Sequence, residues 1–443
     1  MNLSDAMRRA ADAIDKQADE IICFAEDIKK TPELGYKEFK TNQRVCKEFE
    51  RLSIPYESGM ALTGVRGGIG TGNGVHICII GEMDAIICGG HPEADKKTGA
   101  VHACGHNAQL AAMMGAARGL LASGALDAVD GTVSFFAVPA EEYIDLQERR
   151  TLRKNGKIRF FGGKQQLVYE GVFDDVDIAM MVHAQPNSPQ PCVFVHGGSL
   201  GFVEKEITFH GRAAHASEPF DGINALNAAA LAILGIHANR EHFREKDKIR
   251  IHPIITKGGD AVNVVPAEVC MDSYVRGASM PAILSAAADT DRALLGAAQM
   301  VGAGVDINTS AGYLPLEQDK TLGEVFRESA AQLIPQEQIF SGIDMVGSTD
   351  MGDLSHLIPC IQPTIGGFSG TLHGEDFCVA DPNTAYVLPA KILAFTVLSL
   401  LENNAEKAKQ IKKEFCPKMS KERYIEMLLQ TESKINGGKN YVD

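Results

Sequence analysis

Positive charge, long apolar runs and paired cysteines are all scarce in this sequence, and each shortage removes a class of function. Lys and Arg number 43 against 57 Asp and Glu, a formal net charge of −14. Nucleic acids and anionic membrane surfaces are held by cationic footprints, so neither is an expected partner. No stretch reaches the roughly 18 uncharged apolar residues that a membrane span needs, so no transmembrane helix is expected. The ten cysteines form no Cys-x-x-Cys pair and no regular framework. Residues 1–29 read as amphipathic helix rather than signal peptide. Mostly reduced, buried thiols in a cytoplasmic protein are therefore expected.

What is present is an ordinary globular composition. The 443 residues are 45% hydrophobic and 23% charged, enough for two or three structural units. Apolar β-type runs at 65–69, 75–80, 132–138 and 178–182 alternate with helical patterns at 38–52 and 108–123. Such alternation predicts an α/β layer with a largely parallel sheet. The turn Gly70-Thr71-Gly72-Asn73-Gly74 fails the GxGxxG phosphate pattern and predicts a hairpin between 65–69 and 75–80. From about Gly201 the order becomes β-α-β-β-α-β, ending near Ala311, which is the ferredoxin-like order. Helical pattern returns at 322–333 and 384–403. The predicted organisation is a discontinuous α/β domain of residues 1–200 and 315–443, with residues 201–314 inserted as a small α+β domain.

Four clusters carry chemistry. Met83-Asp84-Ala85 closes an apolar strand, and His102-Ala103-Cys104-Gly105-His106-Asn107 follows about twenty residues later. A thiolate and an imidazole two residues apart suit a borderline-soft divalent ion. Pro139-Ala140-Glu141-Glu142 follows the next strand, where one carboxylate can bind metal and its neighbour accept a proton. His183, in His183-Ala184-Gln185-Pro186, ends another strand, and His373 lies in Gly370-Thr371-Leu372-His373-Gly374. One Cys, three His and a Glu, with one Glu to spare, suit two divalent ions roughly 3.5–4 Å apart. Gly197-Gly198-Ser199-Leu200-Gly201 matches GxSxG formally, but a strand-like run follows where a nucleophile elbow needs a helix.

Taken in order, HACGH, PAEE, HAQP, GRAAHAS, NVVPAEV and the late His resemble the M20 metallopeptidases, specifically their aminoacylase-like branch. The resemblance runs from about Pro32 to Ala394. It implies a zinc-peptidase-like catalytic domain with an inserted lid and dimerisation domain, two ions (Zn or Mn) per chain, and a homodimer formed through the lid. It implies Cys104, His106, Glu142, His183 and His373 as metal ligands with Cys104 bridging. Glu141 would be the catalytic base and Asp84 an orienting group behind the ligands. The same resemblance gives His215 as the lid histidine that polarises the scissile carbonyl, usually from the partner subunit, and Asn263 and Arg276 as substrate-holding residues. An Arg can fork onto an α-carboxylate as Lys cannot. The implied reaction is hydrolysis of an N-acyl amino acid or aminobenzoyl-glutamate-like amide; a dipeptidase and a non-catalytic binding subunit are the alternatives. The sequence departs from the branch at Asn107, where Asp is usual, and at Gln109, where a second His is common. It also departs at the long basic stretch from Tyr143 to Gly162, which reads equally as a flap over the substrate or as an exposed loop.

Overall fold

The computed structural model describes residues 3–71, 74–124, 126, 131–195, 197–342 and 344–437. The chain divides into two compact units. The first comprises Met1–Gly198, Glu317–Met345 and Asp353–Met419; the second comprises Ser199–Leu316, Val346–Gly352 and Ser420–Asp443.

The first unit is built on a six-stranded sheet, ordered Tyr56–Met60, Gly64–Gly70, Gly131–Val138, Val75–Glu82, Ile178–Met180, Cys360–Ile361. The last four strands run parallel, while the first two are antiparallel, so the sheet is mixed. The hairpin expected across the Gly-rich turn does not form. Strand Gly131–Val138 lies between Gly64–Gly70 and Val75–Glu82 and pairs with both. The reason is burial: Gly131–Val138 is buried at all but one position, and such a run needs strand neighbours on both edges. Residues 72 and 73 of that turn lie outside the described residues.

Helix His106–Ser123 is buried along nearly its whole length, lies against strand Val75–Glu82, and is covered by Leu3–Lys16 and Leu388–Glu414. The helical pattern of residues 1–29 resolves into two helices, Leu3–Lys16 and Ala18–Lys29. By length and composition the stretch Asn383–Glu414 could cross a membrane, but 89% of its apolar window is buried within the protein. Its helical geometry breaks at Glu402–Ala405. Because Glu82 and Val138 are register partners on parallel strands, the segments that follow them leave the sheet at the same carboxyl end. That end is where ligands bind in open α/β sheets.

The second unit is an antiparallel sheet ordered Arg250–Lys257, Glu268–Gly277, Gly201–His210, Gly304–Ala311, Ser433–Asn436. Helices Ala225–Ala238 and Met280–Met300 pack on it. Strand Gly201–His210 begins two residues after Ser199, so no nucleophile elbow exists there. The tail, expected to close the catalytic domain at 443, instead belongs to this unit from Ser420 onward. Ile435 pairs opposite Ile307, which covers the edge that Gly304–Ala311 would otherwise present to solvent.

Candidate metal centre

Each carboxyl-end segment of the first unit delivers one or two donors. Gly105 takes a left-handed φ of +84° as the N-cap of helix His106–Ser123. A Cβ there would stand 2.8 Å from the Ala184 methyl, so only glycine lets the Cys104–His106 turn approach the His183 strand. Ala140 also has positive φ, +56°, and turns Glu141 and Glu142 back toward that point. Its N–H donates to Glu38 Oε1 at 2.8 Å. A Cβ on Gly35 would come within 2.9 Å of the Ala140 Cα, which explains the Pro-Glu-Leu-Gly break after the first helices. His373 sits on a turn at φ +63°, tied by its N–H to the Ala103 carbonyl at 2.9 Å.

The donors converge in three trios: Cys104 with His106 and His183; Cys104 with Glu142 and His373; and Glu82 with His106 and Glu141. Cys104 Sγ is 3.4 Å from His183 Nε2 and 3.3 Å from His373 Nε2. His373 Nε2 is 3.1 Å from Glu142 Oε1, and His106 Nε2 is 3.9 Å from Glu141 Oε2. Two ligands each about 2.0–2.3 Å from one ion stand roughly 3–3.5 Å apart. His106 Nε2 and Glu142 Oε1 are buried and make no hydrogen bond, although each has another possible ligand atom 3.1 Å away. Buried polar atoms are otherwise satisfied, so the residues present fit a divalent metal centre.

Asp84 organises this set. Its carboxylate accepts His106 Nδ1 at 3.2 Å through one oxygen and the Glu142 N–H at 2.9 Å through the other; its carbonyl is 2.8 Å from the same Nδ1. His106 therefore carries its proton on Nδ1 and turns the Nε2 lone pair inward, as ligating histidines do. His183 is fixed likewise, with Nδ1 3.1 Å from the Ala184 carbonyl.

The charges answer one another. Burial and Glu142 oppose ionisation of Cys104, yet His183, His106 and His373 outweigh them and hold the thiol down at about 6. Burial likewise opposes Glu142, and His373 overcomes it to bring that carboxyl down to about 2. Glu142 in turn raises His373 to about 11, a pull weakened by the solvent that reaches its half-exposed ring. Burial disfavours charge on His106, but Glu82 and Cys104 lift it well above the ordinary imidazole range. The lowered Cys104 and Glu142 and the raised His106 and His373 are two sides of one pairing between anions and imidazolium rings.

Four buried residues of this region escape a reading by motif. Glu82 lies at the end of strand Val75–Glu82, two residues before Asp84, paired to Lys164 Nζ at 2.6 Å. Gln109 clasps it, donating Nε2 to Glu82 Oε2 at 2.8 Å and accepting the Glu82 N–H at 3.0 Å, which accounts for Gln where a His is common. Glu38 accepts from Thr63 Oγ1 at 2.6 Å. Arg149, fully buried, donates to the carbonyls of Phe161 at 2.7 Å and of Glu142. The signal for Glu82 was its place two residues from Asp84 at a strand end, and Gln109 showed as a departure from the usual His; Glu38 and Arg149 carry no local signal. Asn107 faces away from the donors, with Nδ2 3.4 Å from the Ala25 carbonyl and 3.5 Å from Tyr386 Oη.

The stretch from Tyr143 to Gly162 is neither a free flap nor a plain exposed loop. It forms helix Leu146–Lys154, with Arg149 inside and Arg153 and Arg159 stacked over Phe161 and Phe160; Lys154 and Lys157 face solvent.

The remaining expected site residues lie in the second unit. His215 and Asn263 are brought together on adjoining exposed segments, joined by the Ala216 N–H to the Asn263 carbonyl at 3.0 Å. His215 Nδ1 accepts the Ser217 N–H at 3.1 Å and lies 2.6 Å from Ser217 Oγ, so Nε2 carries the proton and is a donor. Arg276 stands apart from them on strand Glu268–Gly277, bonded to Ser348 Oγ at 2.6 Å and stacked on Phe202 and Tyr274.

A parallel-cored α/β unit whose carboxyl ends gather thiolate, imidazole and carboxylate around a spare Glu defines a metal-binding hydrolase. The chain belongs to peptidase family M20/M25/M40, whose model matches residues 78–394. It is 28% identical to the Xaa-Arg dipeptidase of Mus musculus over 94% of each chain. It is 27% identical to IAA-amino acid hydrolase ILR1-like 4 of Arabidopsis thaliana, over 75% of this chain and 73% of that one. Among solved structures, a dinuclear metal-binding M20 peptidase of Bacillus subtilis superposes with a TM-score of 0.65 at 24% identity, covering 88% of this chain and 99% of that one. The aminobenzoyl-glutamate utilization protein of Klebsiella pneumoniae gives 0.64 at 20% identity, covering 91% and 100%.

Proposed function

We propose that the protein hydrolyses the amide bond of an N-acyl amino acid or a related aminobenzoyl-glutamate-like substrate, using two divalent ions, Zn or Mn. The observation that carries this is the pair of donor trios sharing Cys104, with Glu141 beside them and outside both. Cys104, His106 and His183 would hold one ion and Cys104, Glu142 and His373 the other. When bound, such ions supply Lewis acidity, polarising the carbonyl and making water more acidic.

The chain's own residues do the rest. Glu141 takes a proton from the attacking water at a carboxylate oxygen as the water oxygen bonds to the amide carbon. The same carboxyl then gives that proton to the leaving nitrogen as the C–N bond breaks, releasing a carboxylic acid and an amine. His215 Nε2–H is assigned to the developing oxyanion, and Arg276 and Asn263 to holding the substrate's carboxylate end. His215 would be supplied by the partner subunit of a homodimer formed through the second unit. In support, Arg250–Lys257 is an open sheet edge carrying exposed Ile254 and Ile255, and open edges are templates for pairing.

A second reading, dipeptide hydrolysis by the same chemistry, is favoured by the end-to-end similarity to the Xaa-Arg dipeptidase. The test is a panel of N-acetyl and N-benzoyl amino acids, aminobenzoyl-glutamate and dipeptides, offered to protein reloaded with Mn²⁺, Zn²⁺ or Co²⁺. Amine release that needs metal and is lost in Glu141→Ala supports the proposal, and the preferred substrate chooses between the two readings. Two ions bound per chain with no turnover on any substrate would instead indicate a binding subunit.

A further inference from the structure

The third donor trio, Glu82 with His106 and Glu141, brings to His106 a buried carboxylate that the five-ligand set does not use. Glu82 is 1% exposed, and its neighbours His106, Lys164 and Gln109 are 0%, 0% and 2% exposed. One oxygen, Oε1, is taken by Lys164 Nζ at 2.6 Å. The other, Oε2, accepts Gln109 Nε2 at 2.8 Å and also stands 3.1 Å from His106 Nε2. That last approach has the distance of an ion pair but not the alignment of a hydrogen bond, since His106 Nε2 is without a hydrogen-bond partner.

The tautomer sharpens this. With the His106 proton on Nδ1 toward Asp84, Nε2 presents a lone pair. With Nε2 unprotonated, that lone pair and a carboxylate oxygen 3.1 Å away repel each other; a proton on Nε2 turns the contact into an ion pair, though not an aligned hydrogen bond. The lone pair and the oxygen are compatible when both point at one cation, because 3.1 Å is the separation expected of two adjacent ligands each about 2.0–2.2 Å from an ion. Gln109 and Lys164 leave Oε2 a free lone pair for this and fix its direction.

Charge makes the same point. Cys104, Glu142, Glu141, Asp84 and Glu82 are packed together, and Lys164 is the fully buried cation paired to one of them. A buried carboxylate beyond what two divalent ions neutralise needs its own counter-charge, and Lys164 supplies it without occupying the oxygen that faces His106.

We infer that Glu82 is a further ligand to the ion held at His106, clamped by Gln109 and charge-balanced by Lys164. This rests on the metal centre proposed above. It makes the two positions unequal: the ion at Cys104, His106 and His183 gains a carboxylate, while the ion at Cys104, Glu142 and His373 does not.

The test uses the full chain, stripped by chelation and titrated with Co²⁺, followed by calorimetry and by the visible ligand-field bands, whose intensity rises as coordination number falls. In the native chain two Co²⁺ per chain are expected. Glu82→Gln should weaken one of them at least ten-fold, a floor set by the losses typical of groups that merely support a ligand. It should also intensify the ligand-field absorption. Because Glu82→Gln strands a buried lysine, Glu82→Gln/Lys164→Met is made alongside it and decides the matter if the single variant does not fold. Lys164→Met alone should keep the native band intensity. Unchanged bands in both Glu82 variants, whatever their affinity, would overturn the inference and reduce Glu82 to an anchor for Lys164. A native chain that binds no Co²⁺ would overturn the metal-centre reading itself.

Discussion

Glu141 and Glu142 are adjacent and chemically identical, yet they stand in different surroundings. Glu142 is drawn into the Cys104–His373 trio, whereas Glu141 stays outside it, 3.9 Å from His106. Glu141→Gln should therefore keep its metal content by elemental analysis while kcat falls by about 10²–10⁴. Glu142→Gln should lose metal first. A second prediction concerns Glu38, which burial, and after it the charge of Asp84, raise to about 8 from an ordinary 4.5. Its folded pKa lies above the unfolded one, so the neutral carboxyl's contribution is complete below about 4.5 and is lost as pH rises through about 8. The difference in Tm between Glu38→Gln and the native chain should shift in the variant's favour as pH rises from about 5 to about 9. A constant difference across that range would show that Glu38 is ionised throughout.

At the scale of elements, helix Leu146–Lys154 braces the loop that carries Glu141 and Glu142. Arg149 gathers the carbonyls of Glu142 and Phe161, and leaving such buried acceptors unpaired costs about 1–3 kcal/mol each. Arg149→Leu should lower kcat at least ten-fold, with a smaller change in KM. Arg149→Lys should recover only part, since a single ammonium does not reproduce the guanidinium fork. Equal loss of kcat and of folded protein would reduce the helix to a structural prop. Elements were legible in proportion to how local their cause is. Met280–Met300 reads off its capping Ser279 and its apolar spacing. The pairing of strands did not read off, because the Gly-rich turn at 70–74 favours a hairpin locally while burial of Gly131–Val138 places that strand between the two arms.

For the whole molecule, the division of the site residues between two units makes assembly the decisive variable. His215→Ala and Glu141→Ala should each be inactive as pure proteins. If His215 acts across a two-fold dimer, refolding them together in equal amounts should restore about a quarter of the native rate, the share set by random pairing. No recovery would mean that each chain completes its own site.

The sequence by itself determined the chemistry: Cys104, His106, Glu141, Glu142, His183 and His373 announce themselves because each sits in a short motif at a strand end, and ligand type is a property of the side chain alone. Only the tertiary structure decided which groups meet from afar. Glu82, Lys164, Gln109, Glu38 and Arg149 acquire their roles through burial and through contacts far apart in the chain, such as the Glu38–Ala140 bond across 102 residues and the Glu82–Lys164 pair across 82. The tail strand found its sheet for the same reason. Free energy in those places comes from desolvation and pairing, and neither exists until the chain has closed around them.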